Sequence, residues 1–131
     1  MKTKIIAYWT TTALITLETL AGGVTDLLHG STMLVAGPRV VDVVTQLGYP
    51  VYLLMILGFW KLLAAVTLLV PDFARLKEWA YAGIFFELTG AAASHAARGN
   101  WSEIAAPLIL TAITLASWIL RPADRTLPNA P

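Results

Sequence analysis

The sequence predicts an all-α integral membrane protein, a four-helix bundle with a short amphipathic helix on its outer face between spans 1 and 2. Hydrophobic residues make up 57% of the 131 residues and charged residues only 13%. The mean hydropathy is +0.69, which lies outside the range of an ordinary soluble domain. The hydrophobic residues also gather in four runs that are long enough to cross a bilayer. Most side chains are therefore predicted to contact lipid.

The net charge and the absence of cysteine exclude several classes of function. Nine basic residues are offset by eight acidic ones, which gives a net charge of +1. The basic residues are scattered, so we expect no nucleic-acid partner. Because the chain has no cysteine, disulfides, thiol catalysis and cysteine-ligated iron–sulfur clusters are excluded. A redox role would require a bound cofactor or a partner protein.

The four predicted spans lie at about residues 5–28, 51–70, 76–97 and 103–120, each close to the ~20 residues that a membrane helix needs. The first run follows a basic start, as a secretory signal does, but its length and its acids Glu18 and Asp26 favour a retained helix. We expect one transmembrane bundle over residues 1–121. The remainder, 122–131, is rich in proline and polar residues and is predicted to be a flexible cytoplasmic tail.

The connection between the first two spans has a helical pattern of its own. Val40, Val43, Val44 and Leu47 recur at helical spacing, and polar residues occupy the other side. Glycine and proline punctuate both ends. We expect residues 38–48 to form an amphipathic helix across the outer mouth of the bundle, either as an interfacial anchor or as a lid.

The basic residues near the span ends predict the orientation of the chain. A four-span topology puts six of them on one side: Lys2, Lys4, Arg75, Lys77, Arg121 and Arg125. The opposite side has Arg39 and Arg98. Because short cytoplasmic loops carry the excess of Lys and Arg, both termini are predicted to face the cytoplasm.

Three ionisable residues near the middle of three separate spans, Glu18, Lys61 and Glu87, are the candidate catalytic residues. A charge at this depth costs roughly 2.5 to 3.5 kcal/mol on insertion scales and usually marks a functional site. At about 1.5 Å per helical residue, the three fall at nearly the same depth. Two carboxylates and one ammonium sum to −1, so we expect one acid to hold a proton that acid–base chemistry can use. The alternative is a Lys–Glu pair that only fixes helix register.

A second polar layer is predicted towards the outer face. Asp26 lies on the same side of the first span as Glu18, and Ser94 and His95 lie near the side of the third span that carries Glu87. We assign Asp26, Ser94 and His95 to substrate binding along a polar path, with Trp60 as an apolar wall. Ser94 and His95 are adjacent and project about 100° apart, which argues against a nucleophile–base pair.

No metal ion is predicted, although one set of ligands is conceivable. Asp26 and His29 have ligand spacing on one helical face, and His95 can complete a His-His-carboxylate set. The chain has only two histidines and no recognisable outer-shell partner for them. We therefore interpret His29 as an interfacial residue and His95 as a hydrogen-bonding group.

The region from Leu47 to Asn100 resembles a known family. It contains the segments LGYP (47–50), LGFWKLL (57–63), KEWAYAG (77–83) and GAAASH (90–95). These are similar to the DoxX-like family of small bacterial four-span membrane proteins. The resemblance implies a multi-pass fold in the cell inner membrane with cytoplasmic termini. Better-known relatives include a subunit of a thiosulfate:quinone oxidoreductase and membrane partners of redox-stress enzymes, which implies a quinone as candidate cofactor and a redox enzyme as candidate partner.

Three functions stay open on the sequence. The first is a protein that binds a small hydrophobic molecule, with a quinone as the candidate, through proton exchange at Glu18, Lys61 and Glu87. The second is a stand-alone isomerase or lyase in which the two glutamates divide acid and base roles on a lipophilic substrate. Sterol isomerases of the emopamil-binding type are a loose architectural analogy. The third is a non-catalytic membrane partner or small transporter, and a transporter of this size would need a homo-oligomer to enclose a path.

Overall fold

The computed structural model describes residues 1–29 and 39–128, and the regular elements within these ranges are all helical. The α-helices are α1 (Lys2–Leu27), α2 (Val40–Leu47), α3 (Tyr52–Leu69), α4 (Ala74–Ala97) and α5 (Ala105–Ile119). Short 3-10 turns lie at Trp101–Glu103 and Ala123–Arg125. The all-α class is therefore confirmed, and each predicted span coincides with one long helix.

The four long helices pack side by side around a shared core. α1 contacts α3 and α5, and α4 contacts the same two helices, so the four helices form a closed ring in cross-section. The buried apolar centre consists of Ile15, Leu68, Ala80, Tyr81 and Ile84. Much of the remaining interior is polar, because α1 also buries Thr12, Thr16, Thr19 and Asp26.

A close contact between α1 and α3 is made by two glycines. A Cβ on Gly23 would lie 3.1 Å from the Gly58 carbonyl oxygen, and a Cβ on Gly58 would lie 2.9 Å from the Gly23 carbonyl oxygen. Small residues at helix interfaces in membranes permit this approach. The same Cβ on Gly23 would lie 2.9 Å from Lys61 Cβ. The glycine contact therefore holds Lys61 against the acidic face of α1.

The outer surface of the bundle is apolar. Within residues 1–29 and 39–128, two helical segments are long and apolar enough to span a membrane, Tyr52–Leu69 with a mean hydropathy of 2.0 and Trp101–Ile119 with 1.5. Only 22% and 17% of these segments are buried, whereas the core helix of a soluble protein would be mostly buried. Large side chains such as Leu17, Phe59 and Phe86 are more than half exposed. A surface of this kind is typical of a protein surrounded by lipid.

The short helix α2 occurs where the sequence predicts one, although residue 38 of the predicted range lies outside the described residues. Its Val44 is buried, while Thr45 and Gln46 are exposed. Gly48 ends the helix with a φ of 90°, a backbone conformation that favours glycine. Arg98 Nε at the end of α4 donates to the Leu47 carbonyl oxygen at 3.2 Å. The pairing attaches α2 to one end of the bundle.

The chain after α5 folds back onto the bundle, which departs from the flexible tail expected over 122–131. Arg125 is buried, and its guanidinium donates to the carbonyl oxygens of Leu68 at 3.0 Å and Leu69 at 3.2 Å. The same group lies 4.7 Å from the centre of a Trp9 ring. The carbonyl groups at a helix C-terminus lack intrahelical partners and attract cations. The tail is held at Arg125 for this reason, and residues 129–131 lie outside the described residues.

Candidate functional site

Lys61 lies at the centre of a cluster of ionisable groups contributed by three helices. Its Nζ is 2.8 Å from Asp26 Oδ2 of α1 and 2.8 Å from Glu87 Oε1 of α4. The side chains are 16%, 3% and 25% exposed for Lys61, Asp26 and Glu87. Burial makes these ion pairs costly to break, since either partner alone would leave an uncompensated charge. The cluster therefore joins α1, α3 and α4.

The Lys61 ammonium group retains one hydrogen-bond donor. An ammonium carries three N–H groups, and Asp26 and Glu87 engage two of them. Among the described residues, no partner is assigned to the third. That N–H is available to an acceptor atom of a ligand.

Glu18 faces the same ammonium group from one side. Its carboxylate interacts electrostatically with Lys61, Glu87 and Asp26, but it makes no hydrogen bond or close ion pair with any described residue. A Cβ on Gly22 would lie 3.4 Å from Lys61 Nζ and 3.7 Å from Glu18 Oε1. The ammonium and the carboxylate thus converge beside Gly22, where a side chain would contact both of them.

The cluster carries a surplus of negative charge. Glu18, Asp26 and Glu87 supply three carboxyl groups against the single ammonium of Lys61, which sums to −2 if every group is ionised. The sequence prediction, which did not include Asp26 in the cluster, gave −1. In low-dielectric surroundings such a surplus is relieved by a proton or by a ligand that donates hydrogen bonds. The arrangement is therefore suited to exchanging a proton.

The structure brings Glu18, Lys61 and Glu87 together and adds Asp26, which the sequence analysis had assigned to an outer polar layer. The missed pairing has a recognisable signal, because Glu18, Gly22 and Asp26 are spaced by four residues and share one side of α1. Lys61 reaches Asp26 because its flexible stem can carry the ammonium away from the level of its own backbone.

The other predicted binding residues have separate surroundings. Trp60 is 61% exposed and packs edge-on against Phe59, so it faces outward and forms no wall of a buried site. Ser94 Oγ donates to the Gly90 carbonyl oxygen at 2.8 Å and lies 2.7 Å from Tyr49 Oη. Ser94 therefore fastens the loop after α2 to α4.

His95 lies at the end of the bundle near α2. It lines a cavity of about 250 Å³ together with Val43, Gln46, Leu47, Asn100, Ser102 and Glu103. Its Nδ1 is buried and has no hydrogen-bond partner within the described ranges. The cavity is consistent with a polar mouth on this side, although residues 30–38, which precede α2, lie outside the described part of the chain.

The candidate metal ligands are not assembled into a site. Within residues 1–29 and 39–128, no group of three or more His, Asp or Glu side chains is placed to hold a metal ion. Asp26 accepts a hydrogen bond from Lys61. His29 follows the end of α1 and has a positive φ of 52°. His95 lines the cavity beside α2.

A second cavity, between α4 and α5, is almost entirely apolar. It has a volume of about 230 Å³ and is lined by Glu78, Tyr81, Ala82, Phe85, Phe86, Thr114, Leu115 and Trp118. Its polar groups are already paired, since Trp118 Nε1 donates to Glu78 Oε2 at 2.8 Å and Arg121 forms an ion pair with Glu78 at 2.6 Å. These contacts explain the cavity as part of the packing between α4 and α5.

Comparison with known proteins identifies a family. The model of the DoxX-like family matches residues 10–117, a stretch that includes Glu18, Gly22, Asp26, Lys61 and Glu87. No curated protein and no solved structure matches the chain. The family match covers well over half of the sequence and the whole candidate site. The chain belongs to the DoxX-like family.

Proposed function

We propose that this DoxX-like protein is a multi-pass membrane protein that binds a small hydrophobic carbonyl compound, with a quinone as the candidate, beside Lys61 and Glu18. The observation that carries the proposal is the convergence of the Lys61 ammonium and the Glu18 carboxylate beside Gly22. A Cβ there would be 3.4 Å from Lys61 Nζ and 3.7 Å from Glu18 Oε1. A carbonyl oxygen beside Lys61 Nζ can accept a hydrogen bond from the remaining N–H of Lys61.

The proposed setting is the bacterial inner membrane, with α1, α3, α4 and α5 as spans and both termini in the cytoplasm. The apolar outer surface and the two strongly apolar helices support a lipid environment. The start of α1, the start of α4 and the end of α5 lie on the same side in a four-span topology. The excess of Lys and Arg at these ends supports the orientation. The hydrophobic body of the ligand would then reach the site from the lipid.

The residues around the ligand would divide the chemistry. Asp26 and Glu87 hold the Lys61 ammonium in position through their 2.8 Å contacts. Lys61 polarises the carbonyl, and Glu18 exchanges a proton with the bound oxygen. Electrons for a quinone would come from a redox-enzyme partner, because the cysteine-free chain supplies hydrogen bonds and protons only.

The test is equilibrium binding of a radiolabelled short-chain ubiquinone to the purified protein in nanodiscs. Gly22→Ala places a methyl group against Lys61 Nζ and Glu18 Oε1 at contact distances that are ordinary for carbon, so the variant should fold while the methyl group covers the ammonium. It should bind about tenfold more weakly, since one hydrogen bond to a charged donor is lost. Gly90→Ala is the control, because a Cβ there meets nothing within 4 Å. Equal binding by the two variants would rule out a ligand above Gly22.

A stand-alone isomerase or lyase is the second candidate. It is favoured by the different surroundings of the two glutamates, since Glu87 is paired with Lys61 at 2.8 Å and Glu18 has no such partner within the described ranges. Two acids in unlike environments can act as acid and base. Turnover of a lipophilic substrate by the purified protein without a partner, lost in Glu18→Gln and kept in the exposed control Asp124→Asn, would favour this function over quinone binding.

A further inference from the structure

The interior face of α1 carries polar groups from the candidate site to the other end of the bundle. Tyr8, Thr12, Thr16 and Thr19 are all at most 5% exposed and are spaced by three or four residues, so they share one face of the helix. We call these four residues the hydroxyl row. From Tyr8 to Asp26 the helix rises about 27 Å at 1.5 Å per residue. That length approaches the ~30 Å of a bilayer's hydrocarbon core.

Two members of the row differ from most threonines of the long helices. A threonine in a membrane helix commonly donates to the carbonyl oxygen four residues earlier, and among the described residues of the four long helices six do so: Thr11, Thr25, Thr67, Thr89, Thr111 and Thr114. The Oγ1 atoms of Thr16 and Thr19 are buried and have no partner among the described residues. Buried hydroxyls are normally satisfied by protein or by ordered water. These two are therefore positioned to bind water inside the bundle.

The row continues into direct hydrogen bonds at its far end. Thr12 Oγ1 lies 2.7 Å from Ser117 Oγ, and Tyr81 Oη lies 2.7 Å from the same oxygen. Arg125 Nη1 donates to Tyr8 Oη at 3.5 Å. Hydroxyl groups from α1, α4 and α5 thus meet at the end of the bundle where the chain after α5 is held.

We propose that the hydroxyl row, with ordered water that links Thr16 and Thr19 to the Glu18 carboxylate, conducts protons between Glu18 and the membrane side where Arg125 lies. Each hydroxyl accepts a proton from one neighbour and donates its own to the next. One proton enters the row for each one that leaves, and no hydroxyl is changed. The groups that face Glu18 are Asp26 from α1, Lys61 from α3 and Glu87 from α4. The inference takes one element from the proposed function, namely that Glu18 is the acid that takes up the proton.

The experiment follows carboxyl infrared bands after a rapid pH jump with the protein in nanodiscs. The Glu18 band is assigned by its loss in Glu18→Gln. The double variant Thr16→Val/Thr19→Val removes the two unpartnered hydroxyls, and we expect the Glu18 band to respond about tenfold more slowly. Thr11→Val/Thr25→Val is the matched control, because these hydroxyls bond only to carbonyls of their own helix. The control should respond at the wild-type rate.

Two outcomes of this experiment would refute proton conduction by the hydroxyl row. One is an equal response of the double variant and its control; another is a wild-type protein whose Glu18 band does not respond to pH. If the double variant does not fold, Thr16→Val and Thr19→Val are measured singly against Thr16→Ser and Thr19→Ser, which keep a hydroxyl and should keep the rate. Quinone binding is measured separately with Gly22→Ala. A slowed Glu18 band in the double variant, together with a wild-type protein that does not bind quinone, would refute the proposed function alone. An unslowed Glu18 band in the double variant, together with quinone binding by the wild-type protein, would refute proton conduction by the hydroxyl row alone.

Discussion

Replacing Gly58 with alanine should weaken the bundle at the contact between α1 and α3. The new Cβ would lie 2.9 Å from the Gly23 carbonyl oxygen and 2.8 Å from Leu27 Cγ. Carbon atoms prefer about 3.5 to 4.0 Å, so the shortfall approaches 1 Å. Leu27 can rotate, but the Gly23 carbonyl group is backbone, and the helices must separate. Overpacking of this kind costs about 1 to 3 kcal/mol, partly offset by up to about 1 kcal/mol of helix propensity.

The measurement is reversible unfolding in mixed micelles of increasing denaturing-detergent content, followed by circular dichroism. Gly83→Ala is the control, since a Cβ on Gly83 meets nothing within 4 Å and the substitution should gain up to about 1 kcal/mol of propensity. The two variants should differ by about 2 kcal/mol, or roughly thirtyfold in the unfolding equilibrium constant. Equal stability would mean that α1 and α3 do not approach each other at Gly23 and Gly58.

Two further substitutions test the ionic contacts. Lys61→Met should lower the unfolding free energy by about 3 kcal/mol, because the carboxylates of Asp26 and Glu87 lose their counter-charge. Adding Asp26→Asn to this variant should restore part of the lost stability. No recovery would contradict the ion pair between Lys61 and Asp26. Arg125→Met should cost about 2 kcal/mol through the lost charged hydrogen bonds to carbonyl groups at the end of α3 and should speed proteolysis after α5. The exposed Arg75→Met is its control, and equal cleavage of both would contradict the docking of the tail.

The helices were predictable because hydrophobic length and periodicity are local properties of the sequence. The long helices coincide with the predicted runs, and α2, at Val40–Leu47, lies within the predicted range 38–48. The docking of the tail was not predictable from composition. The segment after α5 is polar and rich in proline, which favours disorder, but one side chain, Arg125, finds the unpaired carbonyl groups of α3. Such a contact depends on tertiary geometry and leaves no local pattern.

The depth argument located the candidate site but missed one of its partners. Counting residues along each span placed Glu18, Lys61 and Glu87 at one level, and the structure does bring them close. Counting assigns each group the depth of its backbone, whereas a lysine stem extends over several ångströms. Lys61 consequently reaches Asp26, two helical turns from Glu18, and Glu18 has no close partner in the described part of the chain. The place of Gly22 in the site depends on Lys61 and Glu18, which converge beside it only in the folded bundle.

The division of hydropathy among the four long helices follows from the placement of the polar groups. α3 and the segment Trp101–Ile119, which includes α5, meet the length and hydropathy criterion for a span, and α1 and α4 do not. α1 contributes Glu18, Asp26 and the hydroxyl row, and α4 contributes Glu87. Each ionisable group lowers the tendency of its helix to enter lipid by roughly 2.5 to 3.5 kcal/mol. α3 carries one such group, Lys61, and offsets it with a high mean hydropathy of 2.0 over Tyr52–Leu69. Since α1 and α4 each contact both α3 and α5, the apolar helices flank the polar ones, and the polar faces of α1 and α4 are directed into the interior.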